Sequence, residues 1–215
     1  LIKGVIFDLD GTLLDSMAVW SSIDREFLEE SGVKDIPPDI SDIVKKMTVD
    51  ASSQYFIDRF GLSCTKDYVI HRIEEMVRER YEKKIPLKPY AAELMDFLDS
   101  RGIPYGVATA TYKGLAEAAL RRCGVYERIR FLLTDSDYPQ GKNLPDIFLG
   151  AAQLLGTQPR DTLVIEDSLH CIETARAAGF MTAGVYDPVS DADFEEIVKI
   201  SDYNVKTLKE IINIF

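Results

Sequence analysis

The 215-residue sequence is short of cysteine, of net positive charge and of long apolar runs, and each shortage removes a class of protein. Its three cysteines, Cys64, Cys123 and Cys171, form no close pair. A set so odd and scattered gives neither a disulfide framework nor the paired spacing of a zinc site, and points to reduced thiols in a cytoplasmic chain. Lys and Arg number 25 against 36 Asp and Glu, a formal net charge of −11. That disfavours a nucleic-acid partner, because phosphate backbones attract basic surfaces. A small anionic substrate stays open, provided the site brings its own positive charge. No apolar stretch is long enough to span a bilayer, and no basic segment precedes an apolar run near residue 1. The expectation is therefore a soluble, cytoplasmic chain without signal peptide or membrane partner. Internal repeats and low-complexity segments are lacking too. What remains, 46% hydrophobic and 28% charged residues, suits a globular main domain with one modest accessory domain.

The chain is organised around residues 4–16, Gly-Val-Ile-Phe-Asp-Leu-Asp-Gly-Thr-Leu-Leu-Asp-Ser. Val5, Ile6 and Phe7 are β-branched or aromatic and are followed by a turn at Gly11, the mark of a short buried strand. Asp8 and Asp10 stand at its carboxyl end, where open α/β sheets place their ligands. Like charges so close need a cation or a shared proton to offset their repulsion. An acidic surface turn is the plainer alternative.

Helical spacing follows at once. Met17, Trp20, Ile23, Phe27 and Leu28 recur up to Gly32, and Ile40, Ile43, Val44 and Met47 recur after Pro37-Pro38. A third helix takes Asp50 as N-cap and carries Tyr55, Phe56 and Phe60 to Gly61. Thr65 opens a fourth, with Ile70, Ile73, Val77 and Tyr81 as apolar stripe and Arg72, Glu74, Glu75, Arg78 and Glu79 as wet face. Residues 16–86 are thus expected to be a helical domain inserted into a core of residues 1–15 and 87–215, with Pro86-Leu87-Lys88-Pro89 as a stiff return linker. Beyond it, strands are expected at 105–108, 131–133, 163–165 and 182–185, and helices at 91–101, 115–123, 145–155, 169–178 and 193–200. A marginal strand at 203–205 and a last helix at 208–214 close the chain. Such alternation calls for a Rossmann-like α/β core, a parallel sheet with helices on both faces.

Three further strand ends carry chemistry-bearing residues. Val107-Ala108-Thr109-Ala110-Thr111 sets a hydroxyl beside the backbone N–H groups of a turn, a fit for phosphate oxygens, although β-propensity also accounts for the threonines. Gly141-Lys142-Asn143-Leu144-Pro145-Asp146 holds a lysine ahead of a helix. Such a residue is usually solvated, but here it would offset carboxylates that otherwise repel an anionic substrate. Val164-Ile165-Glu166-Asp167-Ser168 puts two more acids after a buried run, a pattern for a hard cation with oxygen ligands, with helix capping by Asp167 or Ser168 as a compatible second role. Cys171 reads as packing or as a reactive thiol, and His170 as surface or as a group at the mouth of the site.

In order and spacing these four segments resemble the four motifs of the haloacid dehalogenase-like superfamily, most of whose members are magnesium-dependent phosphohydrolases. The resemblance covers nearly the whole chain, and the helical insert is similar to the first-type cap of the β-phosphoglucomutase and phosphoglycolate phosphatase branch. It implies that Asp8 is the nucleophile and Asp10 the general acid/base. It further implies that Thr109, the backbone of Ala110 and Lys142 hold the phosphoryl oxygens. Asp8, the backbone carbonyl of Asp10, Glu166 (directly or through water) and Asp167 would bind Mg2+. Asn143 stands where the branch often has proline, and Cys171 where it often has glycine; neither change removes a catalytic group. A phosphomonoester adds about 1.5–2 negative charges to those of the four acids, so charge balance itself calls for the cation.

The implied activity is hydrolysis of a small phosphorylated metabolite, sugar phosphate-like, through an aspartyl-phosphate, by a monomer or weak homo-oligomer. Trp20, Lys46, Thr48 and Lys113 are candidate substrate-facing positions, Trp20 being equally suited to the interior of the insert. The rivals are a hexose-phosphate mutase of the β-phosphoglucomutase type and a non-catalytic phosphoacceptor or binding module. Against the mutase, Met47-Thr48-Val49-Asp50 offers no arginine to clamp a second phosphate, and Trp20 stands where that family has a histidine. Against the module, a large insert follows the first acids and no motif residue is missing.

Overall fold

The protein's structure, a computed structural model, describes residues 1–44 and 47–215, the side chains of Asp42 and Ser190 excepted. Its described residues form two compact units, Leu1–Ser16 with Ile85–Phe215, and Met17–Lys84.

The Met17–Lys84 unit consists of α1 (Met17–Glu30), α2 (Ile40–Val44), α3 (Val49–Phe60) and α4 (Lys66–Lys83). Its interior is formed by Ile23, Phe27 and Leu28 of α1, Phe56 of α3, and Val69, Met76, Val77 and Tyr81 of α4. The rings of Phe27 and Phe56 lie 6.0 Å apart between centroids. The buried stripe of α4 is therefore centred on Val69 and Met76 as well as Val77 and Tyr81, while Ile70 and Ile73 flank it half-buried. Nor does Asp50 cap α3. Thr48 does, its Oγ1 accepting the Ala51 N–H at 3.2 Å, and Asp50 sits in the first turn paired with Lys66 at 2.6 Å. An acid in that turn still complements the helix N-terminus. Met47 lies beyond the end of α2, and Lys46 lies outside the described residues. No helix among the described residues is long and apolar enough to cross a membrane.

The other unit is built on parallel strands β1 (Gly4–Phe7), β2 (Tyr105–Ala108), β3 (Leu132–Leu133), β4 (Thr162–Glu166), β5 (Met181–Val185) and β6 (Tyr203–Val205), in the order β3-β2-β1-β4-β5-β6. Every residue of β1, β2 and β4 is buried, so both faces of the sheet need cover. In the chain, α5 (Ala91–Ser100) and α6 (Lys113–Arg122) flank β2, α7 (Asp146–Leu155) precedes β4, and α8 (Leu169–Ala177) follows it. Helix α7 packs on β1 and β2, and α8 on β4 and β5. Ile6, Ala108 and Val164 meet Ile147, Phe148, Ala151, Cys171 and Ala175 in one apolar cluster. The alternate strand residues point to the opposite face, where Phe7 and Tyr105 stack edge-on at 5.9 Å.

Chain order fixes where the site falls. From β1 the strands run outward in both directions, β2 and β3 to one side and β4, β5 and β6 to the other. The carboxyl ends of β1 and β4 therefore flank the switch point of the sheet, the crevice in which open α/β sheets bind ligands.

Candidate active site

Strand register sets the first two acids side by side. Phe7 pairs with Ile165, so Asp8 leaves β1 next to Glu166, the last residue of β4, and the Asp8 N–H donates to the Ile165 carbonyl at 2.9 Å. The chain then turns tightly. Gly11 takes φ 85, and the N–H groups of Leu13 and Leu14 return to the Leu9 carbonyl at 2.9 and 2.8 Å; the left-handed conformation favours glycine there. Lys142 arrives on a 3-10 turn, Gly141–Asn143. Gly141 has φ +53, a left-handed conformation that favours glycine, and a Cβ on it would lie 2.6 Å from Asp135 Oδ1, so a side chain there would be strained and would push the exposed Asp135 carboxylate aside.

Asp8, Lys142, Glu166 and Asp167 are all buried. Lys142 Nζ donates to Asp8 Oδ1 at 2.5 Å and also to Glu166 Oε1, while Glu166 Oε2 accepts the Ser168 N–H at 2.9 Å. Asp8 Oδ2 is buried, and among the described residues nothing donates to it. One ligand atom from each of Asp8, Glu166 and Asp167 lies within 4.8 Å of the others. Three carboxylates around one ammonium leave an excess of negative charge, and the oxygen donors with the orphaned Oδ2 fit a hard divalent cation. Burial first, then the charge of Glu166, pushes the Asp8 carboxyl up to about 7 against the pull of Lys142. Burial opposes the Lys142 ammonium, yet Asp8 and Glu166 hold its pKa well above the ordinary lysine value, so it stays charged.

Asp10 is half-buried and gripped at both oxygens. Ser16 Oγ donates to Oδ1 at 2.5 Å, and Thr111 Oγ1 donates to Oδ2. Thr109 is buried just past β2; its N–H donates to the Leu133 carbonyl and its Oγ1 accepts the Thr111 N–H, both at 3.0 Å. Ala110, between the threonines, is exposed. The sequence assigns Ser16 and Thr111 no role of their own; the one signal is that each belongs to a strand-end segment that carries chemistry-bearing residues.

The remaining candidates have local partners. Trp20 Nε1 donates to Tyr81 Oη at 3.1 Å within the helical unit, Thr48 caps α3, and Lys113 at the start of α6 lies 3.9 Å from Asp137 Oδ1. Cys171 is buried in the apolar cluster, and burial, then Glu166, raises its thiol pKa, which keeps it protonated: its role is packing. Ser168 occupies the N-cap position of α8 without a side-chain capping bond; its hydroxyl pairs instead with Nδ1 of the exposed His170 at 2.8 Å.

A parallel α/β sheet with acids at two neighbouring strand ends and a lysine buried between them defines an enzyme scaffold for handling an anion beside a cation. The family description of haloacid dehalogenase-like hydrolases matches residues 2–179, and the chain belongs to that family. N-acetylmuramic acid 6-phosphate phosphatase of Pseudomonas aeruginosa is 31% identical over 188 residues, covering 86% of this chain and 81% of that protein. Hexitol phosphatase B of Escherichia coli K12 is 24% identical over 214 residues, 98% of this chain and 94% of that one. Among solved structures, a Thermotoga maritima protein provisionally described as a β-phosphoglucomutase has the same fold, with a TM-score of 0.85 at 22% identity over 99% of this chain and 98% of that chain.

Proposed function

We propose that the protein is a Mg2+-dependent phosphatase that hydrolyses a small, sugar phosphate-like phosphomonoester through an aspartyl-phosphate on Asp8. The observation that carries this reading is the buried Asp8, held at one oxygen by Lys142, without a donor among the described residues at the other, and within ligand distance of Glu166 and Asp167. Relatives named as phosphatases of N-acetylmuramic acid 6-phosphate and of hexitols support the substrate class. Asp8, the Asp10 carbonyl, Glu166 and Asp167 would hold Mg2+, which when bound neutralises the excess charge of the acids and of the phosphoryl oxygens.

In this scheme Thr109, the Ala110 N–H and Lys142 hold the phosphoryl oxygens. The Asp8 carboxylate attacks phosphorus, and protonated Asp10 gives its proton to the departing alcohol. Asp10, now ionised, takes a proton from the water that attacks the phosphoenzyme, and inorganic phosphate leaves as Asp8 is restored. The inserted helical unit is assigned the role of a cap that selects the non-phosphate part of the substrate. The enzyme is taken to act in the cytoplasm as a monomer or weak homo-oligomer.

The test is a phosphate-release screen with Mg2+ over sugar phosphates, phosphoglycolate, nucleotides and cofactor phosphates. It should include β-glucose 1-phosphate primed with catalytic glucose 1,6-bisphosphate. Phosphate release from several small phosphomonoesters is the expected result. Fast conversion to glucose 6-phosphate with negligible phosphate release would make the protein a mutase instead, and no transfer from any substrate would make it a binding module.

A further inference from the structure

We infer that Ser16 and Thr111 form a two-hydroxyl clip that positions the Asp10 carboxyl group for proton transfer, an inference that rests on the phosphatase reading above. Three facts carry it. Both carboxylate oxygens of Asp10 are engaged, each by a different hydroxyl, Oδ1 by Ser16 and Oδ2 by Thr111. The two hydroxyls come from separate strand ends, Ser16 from the segment after β1 and Thr111 from the segment after β2, so rotation of the carboxylate is blocked from two sides. Thr111 is itself fixed, because its backbone N–H is bound to Thr109 Oγ1 at 3.0 Å. Thr109 is the residue assigned to the phosphoryl group, so the clip ties the orientation of the acid to the place of the phosphorus.

Hydroxyls suit the task because each can donate to a carboxylate or accept from a carboxylic acid. In the structure Ser16 and Thr111 both donate to the Asp10 carboxylate, one to each oxygen. When Asp10 carries its proton, one oxygen keeps its hydroxyl donor and the other is freed to face the leaving group. Proton transfer then balances: the Asp8–phosphorus bond forms, the phosphorus–alcohol bond breaks, the Asp10 proton goes to the alcohol oxygen, and the freed hydroxyl again donates to the new carboxylate. In the second half, water adds its hydroxyl to phosphorus and gives its other proton to Asp10, and the Asp8–phosphorus bond breaks, restoring the Asp8 carboxylate. A side chain that cannot both donate and accept would let the carboxyl swing and would lower only steps that need its proton. Ser16 and Thr111 are thus positioning residues, acting through Asp10.

The test compares leaving groups that do and do not need a proton, phenyl phosphate and p-nitrophenyl phosphate, with Mg2+ present. Thr111→Val should lower the rate of phenol release by about 10- to 100-fold. The first-turnover release of p-nitrophenolate should change by less than about threefold, because that leaving group departs as the anion. Thr111→Ser, which restores the hydroxyl, should recover the phenyl phosphate rate. Ser16→Ala should show the same split, so the question stays answerable if one variant does not fold. Equal losses on both substrates, no loss on either, or failure of Thr111→Ser to recover the rate would overturn the clip. A wild-type enzyme that releases phosphate from no phosphomonoester would instead overturn the phosphatase reading, so the two failures are distinct.

Discussion

Replacing Asp8 by asparagine should flatten the pH dependence of stability in the metal-free protein, and the structure sets the size of the effect. Burial, then Glu166, moves the Asp8 carboxyl from its ordinary 3.8 up to about 7. Below pH 3.8 folded and unfolded chains both hold that proton, and the stability is fully present. Between 3.8 and about 7 the unfolded chain has released the proton while the folded one keeps it, so stability falls as pH rises; above about 7 the loss is complete. A tenfold change in proton affinity is worth about 1.4 kcal/mol, which makes the total about 4 kcal/mol. For a chain of this size that is about 10 °C in the melting temperature of the sheet unit. The amide of the Asp8→Asn variant keeps an oxygen for Lys142 and turns an uncharged NH2 toward the place of the orphaned Oδ2, so the slope owed to Asp8 disappears. Asp24, raised to about 6 chiefly by burial in the helical unit, contributes in the same direction in both proteins and cancels in the comparison. Thermal melts in chelator from about pH 4 to about pH 8, wild type against Asp8→Asn, read the difference directly, and added Mg2+ should lift the wild type at the alkaline end and leave the variant nearly unmoved. Parallel curves for the two proteins would refute the reasoning.

Two further outcomes follow from buried charge. Lys142→Ala should cut kcat/KM by about 10²- to 10³-fold, and Lys142→Arg should not restore it, because a planar guanidinium cannot take the compact position between Asp8 and Glu166; steady-state kinetics on any accepted substrate checks both. Half-buried Lys88 pairs at 2.7 Å with buried Asp187 beyond the end of β5, and Lys88→Ala, which strips the buried carboxylate of its partner, should cost about 3 kcal/mol in chemical denaturation. Lys88→Met combined with Asp187→Leu should recover most of that loss, since no unpaired charge is then left inside.

Much of the fold was legible because its elements announce themselves locally. The apolar runs of β1 and β4 are short, β-branched and closed by acids, and the register that sets Asp8 beside Glu166 follows from two such strands lying as neighbours. Boundaries were harder where two residues compete for one role. Thr48 and Asp50 are both good at helix N-termini, and only the backbone decides that Thr48 caps while Asp50 joins the first turn. On α4 the interior takes Val69 and Met76 because the stripe's centre depends on what packs against it, and Ile70 is equally apolar but a residue off that line. Least legible were bonds between distant segments. Nothing near Thr111 in the chain shows that its hydroxyl meets Asp10, and nothing in the Pro86–Pro89 linker shows that Lys88 finds Asp187.

If the Asp8 carboxylate accepts the phosphoryl group, rapid acid quench during turnover should trap it there, and no other measurement addresses the chemistry so directly. With a small phosphomonoester labelled in its phosphoryl group, peptide mapping of the quenched enzyme should place the label on the peptide that contains Asp8, and Asp8→Asn should carry none. Label on another residue, or steady phosphate release from Asp8→Asn at the wild-type rate, would contradict the assignment of Asp8 as the nucleophile.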